Sequence, residues 1–139
     1  MQNYKTEDID KSLSSFGEDF IDMYFDNVGG EISDAVLNHI STFSRTAVCG
    51  QIANYNASSP PVGPRVARTL LTKQSLMQGF IVFNFEHKYP KAMSALSEWI
   101  KSGDIVYKED IYKGFENMPK TFMKLFEGEN FGKLILDIR

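Results

Sequence analysis

Polar side chains and glycines that could bind a ligand follow the first long apolar segment of the chain. In FIDMYFDNVGGEISDAV, residues 20–36, an apolar run ends at Asp26 and Asn27, and Gly29 and Gly30 follow. Open α/β sheets bind ligands at the carboxyl ends of their strands, and glycine lets a backbone approach closely or turn tightly. Asn27 is therefore a candidate ligand contact, and ordinary turn chemistry between a strand and a helix is the open alternative.

A second candidate segment is CGQIANY, residues 49–55, which also follows an apolar run. Gly50 opens space beside the chain, and the Tyr55 hydroxyl could donate a hydrogen bond. Cys49 has no histidine near it in sequence, which favours a small buried side chain over an activated nucleophile. The two segments predict ligand-binding loops at adjacent strand ends.

Several common catalytic and binding motifs do not occur in the sequence. It contains no G-x-G-x-x-G, no phosphate-binding P-loop and no G-x-S-x-G nucleophile turn. His39 and His87 are isolated and Cys49 is the single cysteine, so we predict no metal site. An S-adenosylmethionine methyltransferase places similar polar residues after a strand, but it needs a glycine-rich loop that this sequence also lacks.

Composition narrows the class of protein further. The chain has 139 residues, 42% of them hydrophobic, which is enough for the core of one domain. The net charge of -3 without a basic patch argues against a nucleic-acid partner. The longest apolar run is too short to span a bilayer, and the polar N-terminus does not resemble a signal peptide. A single cysteine suits a reducing compartment, so we expect a cytoplasmic protein with no membrane partner.

The elements that must position these residues alternate along the chain. Apolar, aromatic and β-branched runs predict strands at Phe20–Phe25, Thr46–Cys49, Leu76–Phe83, Ile105–Ile111 and Leu134–Ile138, and the end of a strand at Asn3–Lys5. Helical periodicity, caps and prolines predict a short helix through Leu13 to Phe16 capped by Thr6 or Asp8, and helices at Glu31–Ile40, Val66–Leu71, Tyr89–Lys101 and Met118–Phe126. This alternation predicts an α/β fold with a parallel sheet.

Eight short motifs, in this order, resemble one enzyme family. They are NYK, YFDNVGG, CGQIANYN, PPVGP, GFIVF, YKEDI, GFENMP and GENFGK. They resemble the prostaglandin reductase (leukotriene B4 12-hydroxydehydrogenase-like) branch of the medium-chain dehydrogenase/reductases, which are zinc-free, NADP-dependent alkenal and enone reductases within the zinc-binding dehydrogenase family. The resemblance implies hydride transfer from NADPH to the β-carbon of an α,β-unsaturated ketone or aldehyde, a small-molecule substrate.

The resemblance also implies roles for individual residues. Tyr55 would be the catalytic hydroxyl near the substrate carbonyl, in the manner of an oxyanion donor. Asn27 would face the cofactor at the strand end, and Tyr4 would lie by the adenosine 2'-phosphate. The nicotinamide and its ribose would be contacted by Cys49, Gly50, Gln51, Ile52, Phe80, Ile81 and Val82. Asn130 would reach the cofactor from the other domain.

Family members are more than twice as long as this chain. The resemblance therefore implies a C-terminal part: residues 1–86 as a partial NADP-binding Rossmann domain with strands 4, 5 and 6 of the family's sheet, and residues 87–139 as a segment returning to a GroES-like catalytic domain. The family's A-x-G-x-V-G phosphate loop does not occur in the sequence. We therefore expect weak or no NADP binding by these 139 residues alone.

Two further expectations concern assembly and activity. In the family, the strand that corresponds to Leu76–Phe83 pairs across a dimer axis, so the resemblance implies a homodimer through that strand. The alternative function is a catalytically inactive, self-associating polypeptide with little or no cofactor binding, because one edge of the implied sheet would lack its partner strand.

Overall fold

The chain divides into two compact units in the computed structural model. The first extends to Glu86 and the second begins at His87. The structure describes residues 3–128 and 130–139. Each unit contains a parallel sheet with helices in its connections, which confirms the predicted α/β class.

The first unit is built on a three-stranded parallel sheet in the order β1-β2-β3. Its strands are β1 (Ile21–Asp26), β2 (Ile40–Val48) and β3 (Leu76–Gly79). Its helices are α1 (Ile9–Ser14), α2 (Gly30–Leu37) and α3 (Val66–Lys73), with a 3-10 helix at Ile52–Asn54. A further 3-10 segment, Val82–Lys88, has a kink at Phe85 and includes the residues at which the chain divides. Asp8 caps α1 by accepting a hydrogen bond from the Lys11 N–H at 3.0 Å. Of the two caps that the sequence predicts, Thr6 and Asp8, the structure therefore uses Asp8.

The second unit has two helices and two paired strands. These are α4 (Tyr89–Ser102), β4 (Glu109–Lys113), a 3-10 turn at Phe115–Asn117, α5 (Met118–Glu127) and β5 (Lys133–Asp137). β4 and β5 are parallel. A proline lies in the first turn of α4, and Gly103 ends the helix with a φ of 84°, as the sequence predicts.

The two faces of the first sheet differ in their covering. On one face Ser33 of α2 hydrogen-bonds to Asp26 of β1, and α3 contacts β2. On the other face Met23 and Phe25 of β1 are 83% and 62% exposed. An apolar hollow of about 550 Å³ lies there over the strands. In the described part of the first unit, this second face is open to solvent, and we call it the open face.

The structure corrects the prediction for residues 31–49. The sequence places Ile40 on the apolar stripe of a helix, but α2 ends at Leu37 and Ile40 is the first, fully buried residue of β2. The Ile21 N–H donates to the His39 carbonyl at 3.2 Å, which draws the chain into the sheet beside β1. β2 also begins six residues before the predicted strand, because its polar first half hides the strand periodicity.

Three other predicted strands have different bounds. β3 ends at Gly79 rather than Phe83, because the chain turns into a 3-10 helix at Val82. β4 begins at Glu109 rather than Ile105, whose N–H donates to the Trp99 carbonyl of α4 at 3.1 Å. Asn3–Lys5 is not a strand end, since the Asn3 carbonyl accepts hydrogen bonds in a turn.

An irregularity in β2 places a bulky residue in the left-handed region. Between the pairs Ile21–Ile40 and Met23–Arg45, one residue of β1 faces four of β2. Within this bulge Phe43 has a φ of 65° and its side chain is 62% exposed. A left-handed conformation costs a residue other than glycine about 1–2 kcal/mol. The backbone of Phe43 is therefore strained, and burial of its side chain contributes little free energy to offset that strain.

Replacing Phe43 with glycine is expected to leave the free energy of unfolding unchanged or raise it by up to about 1 kcal/mol, because relief of strain offsets the flexibility of glycine. The neighbouring Thr42, which has no positive φ, is the matched control. Thr42→Gly should lower the free energy by about 0.5–1 kcal/mol. Urea unfolding of the two variants measures this difference, and equal destabilisation by both would contradict the assignment of strain to Phe43.

Candidate functional site

The first candidate segment is organised by Asp26, the last residue of β1. Its side chain is buried, with 2% of the residue exposed. One carboxylate oxygen accepts the N–H groups of Val28 at 3.1 Å and Gly29 at 2.9 Å, and the other accepts the Ser33 hydroxyl at 2.8 Å. Asp26 therefore fixes the turn between β1 and α2, which is the turn chemistry that the sequence left open.

Tyr24 shares this environment. Partial burial raises the pKa of Tyr24 to about 12, and the negative charge of Asp26 and a hydrogen bond to it add to the rise. A partly buried phenolate beside a carboxylate is unfavourable, so the fold favours the neutral phenol of Tyr24.

We expect this fold to lose stability at high pH through Tyr24. The folded-state pKa lies above the ordinary value of 10.0, so the stabilisation is fully present below pH 10 and disappears as pH rises towards 12. Tyr24→Phe should flatten the decline between those values, while Tyr55→Phe should leave it in place. Urea unfolding at a series of pH values tests this, and an unaltered decline in Tyr24→Phe would contradict it.

The two candidate segments pack against each other through glycines. Gly29 and Gly30 have φ values of 70° and 61°, and side chains there would meet Gln51 and Ala53 at 3.1 Å. The Ala53 N–H donates to the Val28 carbonyl at 3.0 Å. The glycine pair therefore makes the turn and lets the loop after β2 lie directly on it.

Gly50 is the point at which the candidate ligand-binding groups converge. A Cβ at Gly50 would lie 2.9 Å from Asn27 Oδ1 and 3.3 Å from the Tyr55 hydroxyl oxygen. Gly50 has no positive φ, so the restriction is one of space rather than backbone conformation. The Gln51 N–H donates to the Tyr55 oxygen at 3.4 Å, which leaves the Tyr55 O–H able to donate elsewhere.

An open cleft of about 550 Å³ lies beside this point, at the carboxyl ends of β2 and β3. Its lining residues are Val48, Cys49, Gly50, Gln51, Tyr55, Gly79, Phe80, Ile81 and Asn84. The Phe80 N–H donates to the Val48 carbonyl at 3.1 Å and holds the two walls together. Six residues that the sequence resemblance implicated therefore share one cleft, and we call it the strand-end cleft.

Asn27 does not line this cleft but lies beside Gly50, and the other four implicated residues lie elsewhere. Ile52 and Val82 are 57% and 54% exposed and do not line the strand-end cleft. Tyr4 lines a separate hollow of about 630 Å³, formed with the start of α2 and the proline-containing loop. Asn130 belongs to the second unit, where its side-chain amide donates to the Gly132 carbonyl at 2.9 Å.

Sequence reasoning missed Asn84, which lines the cleft from the 3-10 helix after β3. Its Oδ1 accepts the Ile81 N–H at 3.0 Å, and its own N–H donates to the Ile81 carbonyl at 2.9 Å. Asparagine favours such local turns over continued strand, so an asparagine directly after the predicted strand was the available signal.

Neither a metal site nor a membrane span is found in the described residues. Among residues 3–128 and 130–139, no three histidine, cysteine, aspartate or glutamate side chains are grouped so that they could hold a metal ion. We therefore assign no metal ligand in this part of the chain. None of its described helices is both long and apolar enough to cross a bilayer.

Comparison with known proteins agrees with this geometry. Residues 1–136 match the family model described as zinc-binding dehydrogenase. The chain is 41% identical over 136 residues to prostaglandin reductase 1 of Sus scrofa, covering 96% of this chain and 41% of that protein. It is 42% identical over 135 residues to the NADP(+)-dependent 2-alkenal reductase of Nicotiana tabacum, covering 96% and 39%.

A solved structure extends the comparison to three dimensions. CurA from Vibrio vulnificus, in complex with NADPH, superposes with a TM-score of 0.87 at 38% identity, covering 99% of this chain and 42% of CurA. The chain thus spans about two-fifths of the length of the relatives it matches. These relatives confirm the resemblance to prostaglandin and alkenal reductases. The chain belongs to the zinc-binding dehydrogenase family.

Proposed function

We propose that this chain forms the nicotinamide side of the NADPH site in an enzyme that reduces the C=C bond of α,β-unsaturated ketones or aldehydes. The strand-end cleft carries the proposal, because Gly50 and Tyr55 line it and Asn27 Oδ1 lies beside Gly50. Such a position, at the carboxyl ends of parallel strands, is where open α/β sheets bind ligands. The NADP-dependent relatives support the oxidoreductase class.

The residues present fit the nicotinamide half of the cofactor. The cleft combines apolar walls from Phe80 and Ile81 with backbone and hydroxyl groups near Gly50, as small-molecule sites do. We assign Asn27, Cys49, Gly50, Gln51, Phe80 and Ile81 to cofactor contact, and leave Tyr4, Ile52, Val82 and Asn130 as predictions. The 139 residues hold no glycine-rich loop for the pyrophosphate, so we expect weak affinity from this chain alone.

Tyr55 is the residue proposed to act on the substrate. When bound, the cofactor supplies a hydride to the β-carbon, and negative charge then develops on the substrate carbonyl oxygen. The Gln51 N–H donates to the Tyr55 oxygen at 3.4 Å, so the hydroxyl proton itself is available for another acceptor. A hydroxyl at this position can donate to the developing oxyanion.

Nuclear magnetic resonance on the 139-residue chain tests cofactor placement. Adding NADPH should shift the backbone amide signals of Gly50, Gln51 and Ile81, with saturation at millimolar rather than micromolar concentration. Adenosine 2',5'-bisphosphate, which lacks nicotinamide, is the matched control ligand and should leave these three signals in place. If NADPH moves none of them, or if the control moves them equally, the cleft is not a nicotinamide site.

Self-association without catalysis is a second candidate function. The open face favours it. There Met23 and Phe25 are exposed next to each other over one apolar hollow, and a continuous apolar patch of this kind is typical of a contact surface, whereas isolated exposed apolar side chains are not. Sedimentation over a range of concentrations tests it. Phe25→Lys should shift the chain towards monomer, whereas Val62→Lys, at a fully exposed side chain of the proline-containing loop, should not. A monomer at every concentration would remove this candidate.

A further inference from the structure

Asp10 attaches the short helix α1 to the end of α2. Its Oδ1 accepts a hydrogen bond from the Asn38 side-chain amide at 3.3 Å and lies 2.9 Å from His39 Nε2. An ionised carboxylate can only accept, so His39 Nε2 carries the hydrogen of this second bond. α1 has six residues, none of them buried, and a helix of that length is not stable by itself. The position of α1 therefore depends on side-chain bonds such as these two.

His39 has two neighbours that favour a positive charge. Its side chain is 11% exposed, and its ring centroid lies 6.2 Å from that of Phe20, which carries no charge. The His39 N–H donates to the Val36 carbonyl at 3.0 Å, so His39 directly follows the end of α2. The carbonyl end of a helix stabilises a nearby cation. A protonated His39 is therefore stabilised by this helix end and by the Asp10 carboxylate.

The charged side chain that is bonded to His39 is that of Asp10. On the β1 side, Asp19 forms an ion pair with α3, and Asp22 accepts a hydroxyl from β2. A hollow of about 350 Å³ between α1 and α2 is lined by further acidic side chains, those of Glu7, Asp8 and Glu31. Negative charges in this hollow act on His39 in the same direction as Asp10 does.

The two members of the pair change charge in different ranges of pH. Hydrogen bonds from Asn38 and His39 lower the pKa of Asp10 below its ordinary value of 3.8. The contribution of its carboxylate is therefore present above pH 3.8 and disappears as pH falls towards the lowered pKa. Histidine is the side chain whose charge changes between about pH 5 and 8. In that range Asp10 stays ionised, and His39 is the partner that titrates.

We propose that Asp10 and His39 form a pH-responsive latch, which holds α1 on α2 while His39 is charged and loosens α1 when His39 becomes neutral. A neutral His39 still donates from Nε2, but the added strength of a charge-assisted bond is lost. Tyr4 and residues of α1 line the same hollow, so loosening of α1 changes the surroundings of Tyr4. The latch lies just before β2, whereas the strand-end cleft lies at the other end of that strand, so it does not depend on the proposed function.

Nuclear magnetic resonance on the 139-residue chain at about pH 5.5 and about pH 8 tests the latch. The Cα chemical shifts of Ile9–Ser14 report the helical population of α1, and the Tyr4 ring signals report the hollow. His39→Gln keeps a neutral donor that does not titrate. Asp10→Asn removes the carboxylate charge at a half-exposed position, so loss of the fold is not expected. His87→Gln is the matched control, because it removes the other histidine of the chain.

We expect the non-helical fraction of α1 to rise about two- to fivefold from the lower to the higher pH, the factor that corresponds to one exposed ion pair. The Tyr4 ring signals should shift over the same range. In His39→Gln and in Asp10→Asn the helical population should be equal at both pH values, whereas His87→Gln should keep the full response.

A helical population of α1 that is the same at both pH values in the unsubstituted chain would disprove the latch. A response that survives in either His39→Gln or Asp10→Asn would also disprove it, because another group would then be responsible, as would a response that disappears in His87→Gln. If α1 responds while the Tyr4 signals stay in place, the link between the latch and the hollow is wrong.

Discussion

Replacing Asp26 with alanine is expected to lower the free energy of unfolding of the first unit by about 3–4 kcal/mol. The substitution leaves the Val28 and Gly29 N–H groups and the Ser33 hydroxyl without their acceptor. Because Asp26 is only 2% exposed, water does not readily replace its carboxylate. Buried donors without partners bear the full cost of desolvation, and the carboxylate bonds lost are charge-assisted. Urea unfolding followed by circular dichroism measures the change.

Two milder substitutions divide this effect into parts. Asp26→Asn retains one oxygen for the two N–H groups, and the Ser33 hydroxyl can reverse to accept from the new amide, so about 1 kcal/mol of loss is expected. Ser33→Ala removes one of the three bonds and should cost about 1 kcal/mol. If Asp26→Ala were no more damaging than Ser33→Ala, the carboxylate would not be organising the turn.

Replacing Gly50 with alanine is expected to cost about 1–3 kcal/mol of stability and to disturb the proposed ligand site. The added methyl group would lie 2.9 Å from Asn27 Oδ1, 3.2 Å from the Asn27 carbonyl oxygen and 3.3 Å from the Tyr55 hydroxyl. The backbone oxygen cannot move as a side chain does, so the loop after β2 must shift. Because Asn27 and Tyr55 would separate, NADPH-induced shifts at Gln51 should weaken as well.

Gly79 provides the matched control for Gly50. It lines the same cleft at the end of β3, but a Cβ there would meet no atom within 4 Å. Gly79→Ala should therefore change the free energy of unfolding by less than about 0.5 kcal/mol. Equal unfolding curves for the Gly50→Ala and Gly79→Ala variants would show that the loop tolerates the methyl group and that the convergence at Gly50 is not tight.

The sequence predicted features that depend on local chemistry. An apolar run that ends at Asp26 and reaches two glycines defines a strand, a turn and the start of a helix from neighbouring residues alone, and the structure contains that arrangement. The cap at Asp8 and the helix end at Gly103 are equally local. The fold class was predictable for the same reason, since it depends only on the alternation of elements.

Features that depend on specific hydrogen bonds were predicted poorly. Ile40 has the spacing of a helix stripe, but hydrogen bonding of the preceding residue to Ile21 places it in a strand. The apolar run after β3 resembles a longer strand, yet Asn84 turns it into a 3-10 helix by accepting the Ile81 N–H. At Ile40 the choice was between helix and strand, and after β3 it was between strand and 3-10 helix. Periodicity does not distinguish these conformations, and a specific hydrogen bond selects one of them.

The order of strands in the first sheet has a consequence for how the unit folds. Because β1, β2 and β3 are adjacent in space in the same order as in the chain, each new strand pairs with the strand just before it. No connection has to pass over a strand that has not yet formed, which limits the loop-closure entropy of each pairing in this parallel sheet. We therefore expect β1, α2 and β2 to pair first and β3 to add to the edge of β2.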